Sequence, residues 1–516
     1  MHKHAATQSL LSALRLCSVQ AFCLLLLISC SSPTPEAIPS STETPASPSA
    51  LPVPSETPIP IETTVPSPTS LPQPSLERPQ YVMDVGLNYS TKAATVNQTI
   101  TYPNWTGESL TSLVLAVEPN LWSGGFSLNS LAVDGAPITN YQLENLSQRL
   151  EIPLPQPLPA GGTTKISISY GLILPQMQAY SNPNEVRPQI YGFSERQINL
   201  VEWYPFVVPY ATEGSGEWVL HNPWYYGEHL VYDVADFDVT ITFTDGSTPE
   251  IASSGAEVAS GTEGNRRFTM EAGRTFAMSI STLFKVAQRQ VGDVTVYSYY
   301  FAFYDAPGEA MLQTTVEALQ VFSEKFGPYP HKSLTAVQGD FNDGMEYSGF
   351  YFISRDYFNL YDGTPVNYLV IIAAHETAHA WWFDAVANDQ GIEPWLDETL
   401  ATYSERVYFE VVHPDRVDDW WAYRYFEFQK AGYVDIQIYD GGGQRPYWDK
   451  TYLTGARFLE ALRERVGDEI LFAFLKDYYT QFAGGRATTA DFFRVFRENS
   501  NADITDLMKQ YFQNSY

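Results

Sequence analysis

The chain has 516 residues, with 59 Asp and Glu against 30 Lys and Arg, for a formal net charge of −29. Acidity of this size, spread along the chain rather than held in one tail, argues against a nucleic-acid partner and fits a surface exposed to solvent. All three cysteines (Cys17, Cys23, Cys30) fall in the N-terminal segment. The remainder therefore has no thiol for a disulfide, a metal or a nucleophile.

In chain order, residues 1–29 read as a lipoprotein signal peptide. Lys3 and Arg15 give a positive start, and Ala21–Ile28 is an apolar run too short to span a membrane. The run ends in Leu27-Ile28-Ser29-Cys30, which resembles a bacterial lipobox, the setting in which Cys30 becomes the lipidated N-terminus. The plainer reading is a secretory signal cut near Ser29. Both place the protein outside the cytoplasm, at a bacterial cell surface or in the periplasm, and the first anchors it to a membrane through lipid. Residues 30–78, dominated by Pro, Ser and Thr, read as a disordered tether. Such chain extends by about 3.1 Å per residue and would hold the folded domains well off the membrane.

Residues 79–287 read as a β domain of antiparallel sandwich or saddle type. Val82–Tyr89, Lys165–Tyr170 and Phe237–Phe243 alternate apolar and polar residues with period two. Turns rich in Pro and Gly separate them, as at Leu158-Pro-Ala-Gly-Gly162. Residues 288–516 read as a mainly helical domain. Helices are expected at Gly308–Phe326, Asp397–Glu410, Gly455–Val466, Glu469–Tyr479, Thr489–Glu498 and Ile504–Phe512, with a strand through Leu334–Val337. The fold class is thus multi-domain α+β.

The helical part carries His375-Glu376-Thr377-Ala378-His379 behind the apolar run Tyr368–Ala374. Two histidines four residues apart lie on one helical face and reach one ion. Eighteen residues separate His379 from Glu398, which lies within Trp395-Leu396-Asp397-Glu398 on the next expected helix. His375, His379 and Glu398 make three protein ligands for one Zn²⁺, leaving the fourth position to water. Glu376, between the ligands, is placed to act as general base. A β edge leading into a helical block with this motif points to a thermolysin-like catalytic domain.

Several segments together resemble the aminopeptidase N family of zinc metallopeptidases (gluzincins), from about residue 80 to the C-terminus. HETAH with Glu398 in WLDETLA is the strongest. Phe326-Gly-Pro-Tyr-Pro330 resembles the segment ahead of the catalytic sheet, and Trp203-Tyr-Pro205 with Ala235–Ile241 resembles the N-terminal β domain. Asp343-Gly344-Met345-Glu346-Tyr347 resembles the Gly-x-Met-Glu-Asn exopeptidase motif. The resemblance implies that Gly344, Met345 and Glu346 bind substrate, with Glu346 on the α-ammonium of a peptide. Tyr452 in Tyr452-Leu-Thr-Gly455-Ala456 falls where the family carries an oxyanion-stabilising tyrosine, with Tyr447 as its rival. Gln197 is expected to come from the β domain to help hold the amine. Three departures stand out: Tyr347 replaces the motif's Asn, Asp343 its leading Gly, and Leu453-Thr454 the Glu-Lys after the tyrosine. Only 64 residues come after Tyr452, so the family's helical C-terminal roof is not expected, and the cleft is expected to be more open or to be closed by another copy of the chain.

Three readings are compatible with these residues. In the first the protein is a zinc aminopeptidase acting on peptides with a free N-terminus. The second keeps the zinc and makes the open cleft that of an endopeptidase. In the third the protein is a surface peptide-binding lipoprotein without catalysis, against which stands the intact set His375, Glu376, His379 and Glu398. The oligomeric state is not legible.

Overall fold

The computed structural model describes residues 78–178, 189–211, 217–426 and 432–516. Cys30, the signal and the tether lie outside the described residues. Strand periodicity is borne out where the sequence showed it most clearly. Gln80–Asn88 turns Tyr81, Met83, Val85 and Leu87 into the core and leaves Gln80, Val82 and Asp84 outside.

The β part contains one eight-stranded sheet and two four-stranded sheets. The large sheet runs Ala256–Val258, Asn265–Gly273, Ala235–Phe243, Gln80–Asn88, Ala93–Pro103, Thr163–Ile173, Phe126–Val133, Ala136–Pro137. One pair departs from the expected antiparallel order: Gln80–Asn88 and Ala235–Phe243 run parallel, Val82 opposite Asp238. A parallel neighbour requires a crossover, and here some 150 residues of sheet and loop provide it. The inner faces of the three sheets share one core with Phe284, Phe301, Met345, Phe350 and Phe352 of the next sheet along the chain.

That next sheet has five strands, in the order Phe284–Val291, Val294–Phe301, Ser333–Gly339, Phe350–Ser354, Met345–Tyr347. It begins slightly before residue 288, and its far edge is the short strand that carries Glu346. The helices Asp305–Lys325, Tyr368–Ala378 and Trp395–Val412 pack beside it. Their core holds Trp381, Trp382, Trp395 and Trp420, all buried. Helices Gly455–Val466, Asp468–Phe482, Thr489–Asn499 and Thr505–Tyr511 complete the chain, within a few residues of their expected bounds. Between Gln444 and Thr454 a short α-helix runs into a π-helical turn, Asp449–Thr454, that presents Tyr452. π-Turns often mark functional positions because they push a side chain out of register.

Candidate active site

The helix Tyr368–Ala378 starts where the Asn367 side chain accepts from the Val370 N–H at 3.2 Å. Every residue from Leu369 to Ala378 is buried, so the helix is fixed on all sides and its two histidines inherit that rigidity. His375 Nδ1 sits 2.9 Å from Glu405 Oε1, and His379 Nδ1 is 3.1 Å from the Trp382 carbonyl. An acceptor at each Nδ1 fixes the proton there and leaves both Nε2 atoms bare. Burial, reinforced by neighbouring His375, pushes the His379 pKa well below its usual value, so its ring is neutral.

Those bare nitrogens nevertheless face each other at 3.2 Å, with Glu398 Oε2 at 3.3 Å from His375 Nε2 and 3.7 Å from His379 Nε2. Without a cation, two lone pairs and a carboxylate at such distances repel. Three donors held at about 2.0–2.2 Å around one tetrahedral ion stand about 3.4 Å apart. The donor set and its spacing therefore fit a zinc ion.

Glu405 is fully buried and accepts from Trp420 Nε1 and from Arg424 Nε and Nη2, each at 3.0 Å. Burial pushes its carboxyl up, and the Arg424 guanidinium with His375 outweighs that, leaving the pKa below its ordinary value. Glu405 is thus an anion that orients His375.

Glu376 is buried, and its Oε2 has no hydrogen-bond partner. Burial and then the Glu346 and Glu398 carboxylates push its pKa well above the ordinary value. The chain opposite comes very close: a Cβ on Gly344 would lie 2.0 Å from Glu376 Oε1. Asp343 keeps the glycine-like backbone of the motif's leading position, at φ 125°, and its Oδ1 accepts from the Gly344 N–H at 3.0 Å.

Glu346 lies on the edge strand, 5 % exposed, with Gln390 Nε2 at 3.4 Å from its Oε1. The same amide donates to Asp397 Oδ2 at 2.9 Å. The Tyr452 ring stacks on His375 at 5.8 Å and 10°, and its hydroxyl bonds to Glu398. Tyr447, its rival, is buried 5.9 Å away behind Tyr452 and does not line the metal-side cavity.

A cavity of about 150 Å³ collects Gly344, Met345, Glu346, His375, Glu376, His379, Glu398 and Tyr452. Gln197 is not among them. It is 1 % exposed, its amide donates to Asn199 Oδ1 and Ser279 Oγ, and its carbonyl accepts from the Asp340 N–H. All its polar capacity ties strands together, so the expectation for Gln197 is corrected. The β-side group that does reach the site is Glu228, whose carboxylate lies within 4.8 Å of those of Glu346 and Glu398. It comes directly after Gly227, where φ is 67° and a Cβ would strike Ile438. A Gly-Glu pair in an aromatic loop was the one available signal. Glu405, too, was missed.

A mixed sheet flanked by helices, with two histidines and a glutamate whose ligand atoms converge on one point, defines a thermolysin-type metallopeptidase fold. Residues 310–511 match the Peptidase family M1 domain, which supports the resemblance to aminopeptidase N-like proteins. It is 28% identical over 221 residues to aminopeptidase N of Streptomyces lividans, a match covering 40% of this chain and 26% of that protein. Aminopeptidase N of Lactobacillus helveticus is 26% identical over 215 residues, covering 38% and 25%. The chain thus spans about a quarter of the length of these curated relatives. The crystal structure of an M1 zinc metallopeptidase from Deinococcus radiodurans superposes with a TM-score of 0.60 at 19% identity, over 84% of this chain and 92% of that one. A mutant of the Deinococcus enzyme bound to a Tyr-Ser-Ala substrate gives 0.61 at 18% identity, over 85% and 95%. These likenesses establish the fold.

Proposed function

We propose that the protein is a zinc-dependent aminopeptidase that removes residues from the free N-terminus of peptides. The observation that carries this reading is the pair Glu228 and Glu346 at the end of the metal-side cavity, within 4.8 Å of each other and of Glu398. Two carboxylates there hold one α-ammonium, and this sets the first peptide carbonyl beside the metal ligands. Met345–Tyr347, as a terminal strand, offers main-chain groups to an extended peptide.

Zn²⁺ held by His375, His379 and Glu398 would acidify a water and polarise the substrate carbonyl. Glu376 takes the proton as the water attacks and returns it to the leaving amine. Tyr452 gives its hydroxyl proton as a hydrogen bond to the developing oxyanion. Glu405 keeps His375 in the tautomer that presents Nε2.

The test is hydrolysis of aminoacyl chromogenic amides, amine free or acetylated, with and without a chelator. Chelator-sensitive cleavage of the free-amine set alone is expected. Equal cleavage of acetylated substrates removes the amine role of Glu228 and Glu346 and leaves an endopeptidase. We also propose that Cys30 is lipidated and the enzyme works outside the cytoplasm on a membrane. Labelled palmitate should enter the full chain and fail to enter Cys30→Ala; equal labelling of both sinks the anchor.

A further inference from the structure

We propose that a second cavity, beyond Glu228 and Glu346, receives the side chain of the substrate's first residue and is built for a long cationic one, arginine or lysine. This rests on the aminopeptidase reading. The second cavity is larger, about 400 Å³, and shares Ile190, Glu228, Met345 and Glu346 with the metal-side cavity. The two meet where the α-ammonium is held. The first Cα is one bond from that ammonium, so its side chain leaves from the same seam. With the scissile group on the metal side, the side chain enters the larger cavity.

The lining of the second cavity selects charge. Glu118 and Glu202 join Glu228 and Glu346 around it, and among the described residues no Lys or Arg does. The walls are aromatic: Trp122 and Tyr191 lie with ring centroids 4.9 Å apart, and Trp224 and Tyr232 also line the space. Two buried acceptors have no partner. One is the Tyr191 hydroxyl, on a residue 3 % exposed; the other is Glu118 Oε2. Glu118 Oε1 faces His229 Nε2 at 3.7 Å, so only half of that carboxylate is engaged. Buried acceptors without donors are costly; the charge of a guanidinium or ammonium is favoured by the surrounding carboxylates and aromatic faces, and a small rotation of the Glu118 or Tyr191 side chain toward the cavity brings its partnerless oxygen to the cation's donors. An aliphatic or aromatic first residue fills the walls and leaves Glu118 Oε2 and the Tyr191 hydroxyl unsatisfied.

The test compares free-amine amides of Arg, Lys, citrulline, Leu and Trp, citrulline being the neutral counterpart of Arg. The kcat/KM ratio of Arg to citrulline is expected to be at least about tenfold, the effect of one charge-assisted hydrogen bond. Glu118→Gln should lower the Arg-to-Leu ratio about tenfold; being a ratio, it is insensitive to the fraction of folded enzyme. Preference for Leu or Trp, with the ratio unmoved by Glu118→Gln, overturns the proposal. Calorimetric titration of the full chain with free L-arginine and L-citrulline reads the pocket without turnover. Tighter binding of arginine that is lost in Glu118→Gln supports the pocket even if no amide is cleaved, in which case the aminopeptidase reading fails alone. Equal binding of the two amino acids overturns the pocket.

Discussion

At the scale of single residues the site is defined by close approach. Gly344 is glycine because Glu376 occupies the place of its Cβ, 2.0 Å from Oε1. Only a bare α-carbon lets the chain entering the strand Met345–Tyr347 run this close to the carboxylate of Glu376, the proposed base. Gly344→Ala must displace Glu376, while His375, His379 and Glu398 stay where their own helices hold them. The expected outcome is full metal content with kcat/KM reduced about 100-fold, the scale of a misplacement of about 1 Å. Glu376→Gln should give the same combination, metal retained and turnover lost, through loss of the base rather than its displacement. Metal analysis beside steady-state kinetics distinguishes these from ligand loss. Wild-type kinetics in Gly344→Ala would show that Glu376 does not work from its position against Gly344.

At the scale of elements, the helix Trp395–Val412 does two jobs. Glu398 and Glu405 are seven residues apart, two turns along one face, so one helix supplies a candidate metal ligand and the anion hydrogen-bonded to His375. The sequence made half of this legible. Glu398 stood out because Trp395-Leu-Asp-Glu398 lies at a telling distance beyond the histidine motif, whereas Glu405 is one acid among 59 whose partner lies 30 residues back on another helix. Long helices were readable through their periodicity. The edge strand under Glu346 was legible through its motif rather than a period, whereas the parallel pairing of Gln80–Asn88 with Ala235–Phe243 was not, since non-local pairing leaves no period. Gln197, expected at the site, ties strands together instead, and Glu228, which does line the cavity, was not singled out, both lying outside any regular pattern. Glu405→Gln keeps an acceptor for His375 but removes the charge, and leaves the Arg424 guanidinium without its anion. Zinc affinity, read by competition with a chromogenic chelator, should fall about 10- to 100-fold with helix content unchanged. Unchanged affinity would make Glu405 a packing residue only.

For the whole molecule, one buried cation joins the sheets to the candidate metal site. Arg274 leaves the strand Asn265–Gly273 and is 3 % exposed. Its guanidinium donates to the carbonyls of Asp384 at 2.6 Å, Ala385 at 3.1 Å, Tyr232 at 3.2 Å and Gly485 at 2.6 Å. Asp384 and Ala385 form the turn just beyond the histidine motif, and the Asp384 N–H donates back to the His379 carbonyl at 3.0 Å. The Asp384 carboxylate also accepts from Ser348 Oγ and bonds to His331. One guanidinium therefore fixes the β part, the chain leaving His379 and the loop before the helix Thr489–Asn499 to a single point. Its planar fork matches several carbonyls at once, which an ammonium does not. Arg274→Met leaves three buried carbonyls and a half-buried one short of a donor, and the expected loss of folding free energy is at least about 3 kcal/mol. Arg274→Lys should fall between Met and wild type. Because the turn behind His379 loosens, both variants should also bind zinc more weakly, which ordinary destabilisation of a distant core residue would not produce. Denaturant unfolding of the chelator-treated protein gives the first quantity and chelator competition on folded protein the second. A variant that unfolds like wild type sinks the role of Arg274 as the clamp; one that is destabilised with unchanged zinc affinity confines it to the fold.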